Sequence, residues 1–122
     1  MQYLHLYADD DGISRFADAE IAMHAQSFAP PAPDMPVSDT LDTTQMLFLV
    51  LPAGWGGAQH RSPERQIAFC LSGRLAVTAG DGETREITTG GIWRMEDTTG
   101  SGHTTTVLGD EDVRLAIVQL AP

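Results

Sequence analysis

The chain contains no lysine and only one cysteine, Cys70. Its seven basic side chains are all arginines, set against 17 acidic ones, for a formal net charge of −10. Clustered Lys and Arg hold a nucleic-acid backbone, and they also attract an anionic membrane surface. Both are excluded as partners on charge. A single cysteine permits no intrachain disulfide and no thiolate zinc site. Long hydrophobic runs are missing too: the longest, Met46 to Leu51, is far too short to span a bilayer. The N-terminus has no basic stretch leading into an apolar run, so the expectation is a cytoplasmic protein without a secretory signal.

What is present fits one folded unit. The 122 residues are 42% hydrophobic and 20% charged, ordinary values for a globular domain. Asp9-Asp10-Asp11-Gly12 reads as a solvated turn, because the alternating ligands and distant glutamate of a calcium loop are absent. Tyr3 to Tyr7 alternates as a short strand does, and Ser14 to Met23 fits either helix or strand. Pro30, Pro31, Pro33 and Pro36 forbid helix and interior strand alike, leaving an extended arm. Gln45 to Leu51 is apolar on both faces, which predicts a strand covered on both sides. Strands are expected next over Gln66–Leu71, Arg74–Ala79, Thr84–Thr88, Ile92–Asp97, His103–Leu108 and Val113–Leu120, each bounded by Gly, Pro or Asp. Short strands with no room for crossover helices predict an all-β sandwich or barrel.

Within this frame one constellation stands out. Gly54 is followed after five residues by His60, after one more by Ser62, after three by Gln66, and after six by Gly73. This resembles the first motif of the cupin family, which sets glycine, two histidines, a glutamate and a closing glycine at these intervals. Ser62 stands where the family has its second histidine, and Gln66 where it has the glutamate. The second motif is similar to Gly91 to His103. It departs in the loop Thr98-Thr99-Gly100-Ser101-Gly102, one residue longer than usual and without the family's proline, and no asparagine follows. The resemblance covers Gln45 to Leu120. It implies a double-stranded β-helix, or jelly-roll barrel, over residues 45–122, with an N-terminal strand and proline-rich arm over 1–44 packed on it as one structural domain.

The resemblance also implies a pocket for a small organic molecule. His60, Gln66 and His103 are the candidate ligands for a divalent metal, with iron, manganese, nickel and zinc all suited to imidazole. The alternative is a metal-free pocket in which the same groups bind substrate. There His60, His103 and Glu96 are the acid–base candidates, while Ser62, Gln66, Trp93 and Arg94 are candidates for holding substrate. Glu96 and Asp97 are adjacent, so strand alternation sends only one inward. A lyase, isomerase or cyclase, a metal-dependent oxygenase or hydrolase, and a non-enzymatic ligand-binding protein all remain open. Cys70, mid-strand among apolar neighbours, reads as a packing thiol. Small cupins pair through a sheet face or exchange N-terminal strands, which implies a homodimer.

Overall fold

The first two strands belong to the larger sheet of the barrel rather than being appended to it. In a computed structural model describing residues 1–122, the chain forms eleven strands and no helix. They are β1 (Gln2–Ala8), β2 (Ser14–Glu20), β3 (His24–Gln26), β4 (Met35–Val37), β5 (Thr43–Leu51) and β6 (Gln66–Ser72), followed by β7 (Arg74–Thr78), β8 (Thr84–Thr88), β9 (Ile92–Glu96), β10 (Thr104–Leu108) and β11 (Val113–Leu120). A six-stranded sheet runs β2-β1-β9-β6-β11-β5, and a three-stranded sheet runs β10-β7-β8. The segment left open between helix and strand is therefore β2, antiparallel to β1, while β1 lies parallel to β9 with Leu6 opposite Met95.

Alternation along the strands builds the core. Ala68 and Cys70 of β6, Trp93 and Met95 of β9, and Leu115 and Ile117 of β11 turn inward. They meet Leu75 and Val77 of β7 and Val107 of β10 from the other sheet, with Leu6 and Phe16 closing one side. Burying each such side chain contributes about 1.5–3 kcal/mol, an upper estimate given a compact unfolded chain. Gly73, in the left-handed region at φ +87°, makes the tight β6–β7 turn, where a Cβ would lie 2.5 Å from the carbonyl oxygen of Asp112.

Two segments depart from a closed barrel. β5 is an edge strand paired only with β11, and its outward side chains are open to solvent, with Phe48 74% exposed. The expectation that β5 is covered on both faces is thus overturned for this single chain. Only its inward residues, Leu49 and Leu51, reach the core. The arm between β2 and β5 carries the β3–β4 hairpin, which pairs with no other strand.

Candidate functional site

Two loops bring the histidines together. His60 and His103 face each other as an isolated antiparallel bridge, each backbone N–H donating to the other's carbonyl at 2.9 Å. Gly102 makes this approach possible: at φ +78° a Cβ there would sit 2.1 Å from the His60 carbonyl group. The loop before His103 is propped from β2. Ser14 Oγ donates to the Gly102 carbonyl at 2.6 Å and accepts from the Gly80 N–H at 2.6 Å. β6 and β9 supply Gln66, Trp93 and Met95 from their inward faces, and the next inward position past β9 is Asp97.

Asp97 is the centre of the polar network. It is fully buried, and its two carboxylate oxygens each accept a short hydrogen bond. Ser62 Oγ donates to one at 2.6 Å and His103 Nδ1 donates to the other at 2.6 Å. His60 Nδ1 donates to the Ala58 carbonyl at 2.8 Å. A carboxylate and a carbonyl have no proton to give, so both imidazoles carry hydrogen on Nδ1 and keep a lone pair on Nε2. The rings lie 4.9 Å apart between centroids. They border a cavity of about 100 Å³ whose wall includes Gln66, Trp55, Trp93 and Thr105, with Leu49, Leu51, Leu115 and Ile117 as its apolar part. His103 is buried in it, while His60 stands exposed at the mouth. Trp93 packs edge-on to His103 at 5.6 Å, and its indole N–H is buried without a partner. The Gln66 amide N–H₂ touches only the Met95 sulfur, at 3.7 Å.

Several expected site residues lie elsewhere. Glu96 and Arg94 are on the outer face of the six-stranded sheet, because Trp93 and Met95 take the inward positions of β9. Glu96 is not near His103. It accepts a hydrogen bond from Arg65 Nε at 2.8 Å and lies 2.8 Å from Arg94 Nε and 3.0 Å from His5 Nε2. The last two contacts are badly angled for hydrogen bonding and act through charge alone. Burial alone would raise the Glu96 pKa, but Arg65 and the charges of Arg94 and His5 outweigh it and hold the carboxyl below its usual range. Ser62 does line the cavity, but it is buried and its hydroxyl is committed to Asp97. Burial pushes the Cys70 thiol up, which suits a packing residue. Of the adjacent pair Glu96 and Asp97, Asp97 is the inward one, as counting in twos from the inward Trp93 gives. Trp55, from the loop that follows Gly54, also lines the cavity.

Comparison with known proteins places this architecture. The family model described as the cupin domain matches residues 46–119, more than half of the chain. The chain belongs to the cupin family. A Cupin 2 conserved barrel domain protein from Salinispora arenicola is similar at 21% identity and TM-score 0.54, over 81% of this chain and 76% of that one. An RmlC-like cupin with a double-stranded β-helix fold from Methanocaldococcus jannaschii is similar at 16% identity and TM-score 0.54, over 83% and 90%. A predicted oxalate decarboxylase from Thermotoga maritima is similar at 20% identity and TM-score 0.51, over 84% and 95%. A search of curated proteins finds no match. These likenesses show the fold. No helix of this cupin is long and apolar enough to cross a membrane.

The metal that the family frame implies does not fit these residues. Of the four ligand positions, Ser62 is turned to Asp97 and Gln66 offers a neutral amide, so two imidazoles remain. No group of three His, Cys, Asp or Glu side chains is placed to share an ion. Two neutral nitrogens and an amide make a weak, uncharged donor set for a divalent cation.

Proposed function

We propose that this cupin binds a small organic molecule in the barrel and moves a proton on it, as a lyase, isomerase or cyclase does. One observation carries the reading: the buried Asp97 carboxylate fixes His103 through Nδ1, which leaves a basic Nε2 on the cavity side. A carboxylate behind an imidazole favours the protonated ring that forms when Nε2 takes a proton. His60, with its own free Nε2 at the mouth, is placed to return or relay that proton. Gln66 and the unpartnered Trp93 N–H orient the ligand by hydrogen bonding. The cavity holds about 100 Å³, room for roughly three waters at about 30 Å³ each. It therefore suits a compound of few non-hydrogen atoms. A carbonyl oxygen would satisfy the Trp93 donor, and a C–H or O–H beside it would meet the Nε2 lone pairs.

The test is proton exchange in D₂O, followed by NMR over a panel of three- to five-carbon hydroxy and keto compounds. Wild-type protein is expected to accelerate exchange beside the carbonyl of at least one compound, and His103→Ala to slow it at least about 100-fold, the lower range for general acid–base catalysis. No exchange or binding with any compound, or full activity in His103→Ala, overturns the reading. Protein purified without chelators is expected to carry well under one equivalent of transition metal by mass spectrometry. A full equivalent lost in His103→Ala would favour the metal-dependent alternative.

A further inference from the structure

With both imidazoles neutral, the wall of the histidine cavity carries no formal charge. None of the seven arginines lines it, and no carboxylate does. Arg61 sits between His60 and Ser62 along the chain, but it is exposed and outside the wall. Arg65 and Arg94 are turned to Glu96 on the outer face of the sheet. The one charge hydrogen-bonded to the wall is negative. Asp97, fully buried, lies a single hydrogen bond behind two wall residues, Ser62 and His103. No arginine pairs with its carboxylate, which is met only by the Ser62 hydroxyl and the His103 ring.

A small anion in the cavity would face that carboxylate across one imidazole, with no cation to offset it. At about 8 Å and an effective dielectric constant of about 20, the repulsion amounts to about 30-fold in affinity. The lost hydration of the anion adds to this. The net charge of −10 acts at longer range in the same sense.

The pattern of donors and acceptors excludes the same class independently. His60 and His103 each spend Nδ1 on a protein acceptor and keep a bare lone pair on Nε2. A carboxylate has only lone pairs of its own and would set acceptor against acceptor. An O–H or N–H is what the two rings can take. The opposite need comes from Trp93, whose buried N–H has no partner and calls for a carbonyl oxygen. Thr105 and Gln66 can serve either way.

We propose that the cavity selects uncharged α-hydroxy carbonyl compounds over carboxylates, and that Asp97 sets this charge selectivity. The inference rests on the small-molecule reading above and narrows it. The hydroxyl of such a compound donates to the Nε2 pair, and its carbonyl accepts from Trp93.

Both tryptophans of the chain, Trp55 and Trp93, line the cavity, so intrinsic fluorescence reports on this site. The test is fluorescence titration near neutral pH and at constant ionic strength, with lactamide against lactate and glycolamide against glycolate. Each amide is expected to bind at least about 30-fold more tightly than its acid. Asp97→Asn should narrow that ratio at least about 10-fold, because the opposing charge is gone. Leu49→Lys should narrow it too, since it sets a cation on a partly buried wall position from which the long side chain can reach water. Leu49→Lys leaves the Asp97 network untouched, so the charge argument is tested even where Asp97→Asn fails to fold, which circular dichroism checks. An acid that binds as tightly as its amide overturns the selectivity and leaves the small-molecule reading standing. Ratios unmoved in both variants overturn it as well, because the discrimination is then not electrostatic. No fluorescence change with any compound at millimolar concentration overturns the small-molecule reading, and this inference falls with it.

Discussion

Asp97 is held from two sides and holds two residues in return. Ser62 and His103 are both buried, and both rely on its carboxylate as acceptor. Asp97→Ala would strand a hydroxyl and an imidazole N–H away from water. At about 1–3 kcal/mol for each buried group left unsatisfied, the variant should lose about 2–6 kcal/mol of stability in urea unfolding. Asp97→Asn separates the structural part from the chemical part. The amide oxygen can still accept from His103 Nδ1, and the Ser62 hydroxyl can turn to accept from the amide N–H₂. Most of the stability should therefore remain, while proton exchange falls by about 10–100-fold for want of the negative charge behind the ring. An Asp97→Asn variant as active as wild type would show that His103 does not depend on that charge. His60, Gln66 and His103, which line the cavity, were legible in the sequence because they fall on the positions of two spaced motifs. Alternation says that only one of Glu96 and Asp97 faces inward, but not which; the inward placing of Trp93 and Met95 decides for Asp97.

At the level of elements, β9 shows how one strand serves two surfaces. Its inward residues wall the cavity, and its outward Arg94 and Glu96 tie β1 and the start of β6 together through His5 and Arg65. The same logic explains why the strand punctuation was readable and the cover of β5 was not. Glycine and proline mark where strands turn, and those marks are local. Whether an apolar strand is covered depends on which neighbours the topology supplies, and the order β2-β1-β9-β6-β11-β5 leaves β5 at the rim. The contribution of β2 to the site was equally invisible, because Ser14 acts on Gly102 across 88 positions of chain. Ser14→Ala should cost about 1–3 kcal/mol, since the Gly80 N–H loses its acceptor and the Gly102 carbonyl its donor. Because Gly102 abuts His60 and precedes His103, affinity for any cavity ligand should fall with stability. Unchanged affinity in titration calorimetry would show that the 98–102 loop is positioned without β2.

For the molecule as a whole, the dominant electrostatic fact is the excess of acid, and it bears on stability in two opposing ways. Repulsion among 17 carboxylates weakens the fold near neutral pH and relaxes as acid is added. Against this, several carboxyls titrate below their ordinary values because arginines or backbone N–H groups engage them. Asp9 is held down first by its hydrogen bond from Arg15, Asp18 by its hydrogen bond from Arg85, and Glu96 by Arg65 and its neighbouring charges after burial is overcome. A carboxyl whose folded pKa is depressed contributes stability that is fully present above its unfolded value, and that is lost as pH falls through the folded one. The ordinary values are 3.8 for Asp and 4.5 for Glu. Tm should accordingly change little between pH 8 and about 5 and fall steeply below about 4.5, where these pairs protonate. Exposed pairs such as Arg85 with Asp18 are screened by solvent and add little, so the partly buried Glu96 should carry a disproportionate share of the acid limb. Glu96→Gln removes that share: the variant should start less stable at pH 7 and converge on wild type as pH falls through the depressed folded value of Glu96. Parallel Tm curves offset by a constant amount would mean that Glu96 contributes through packing alone, and that its arginine partners do not set the acid response.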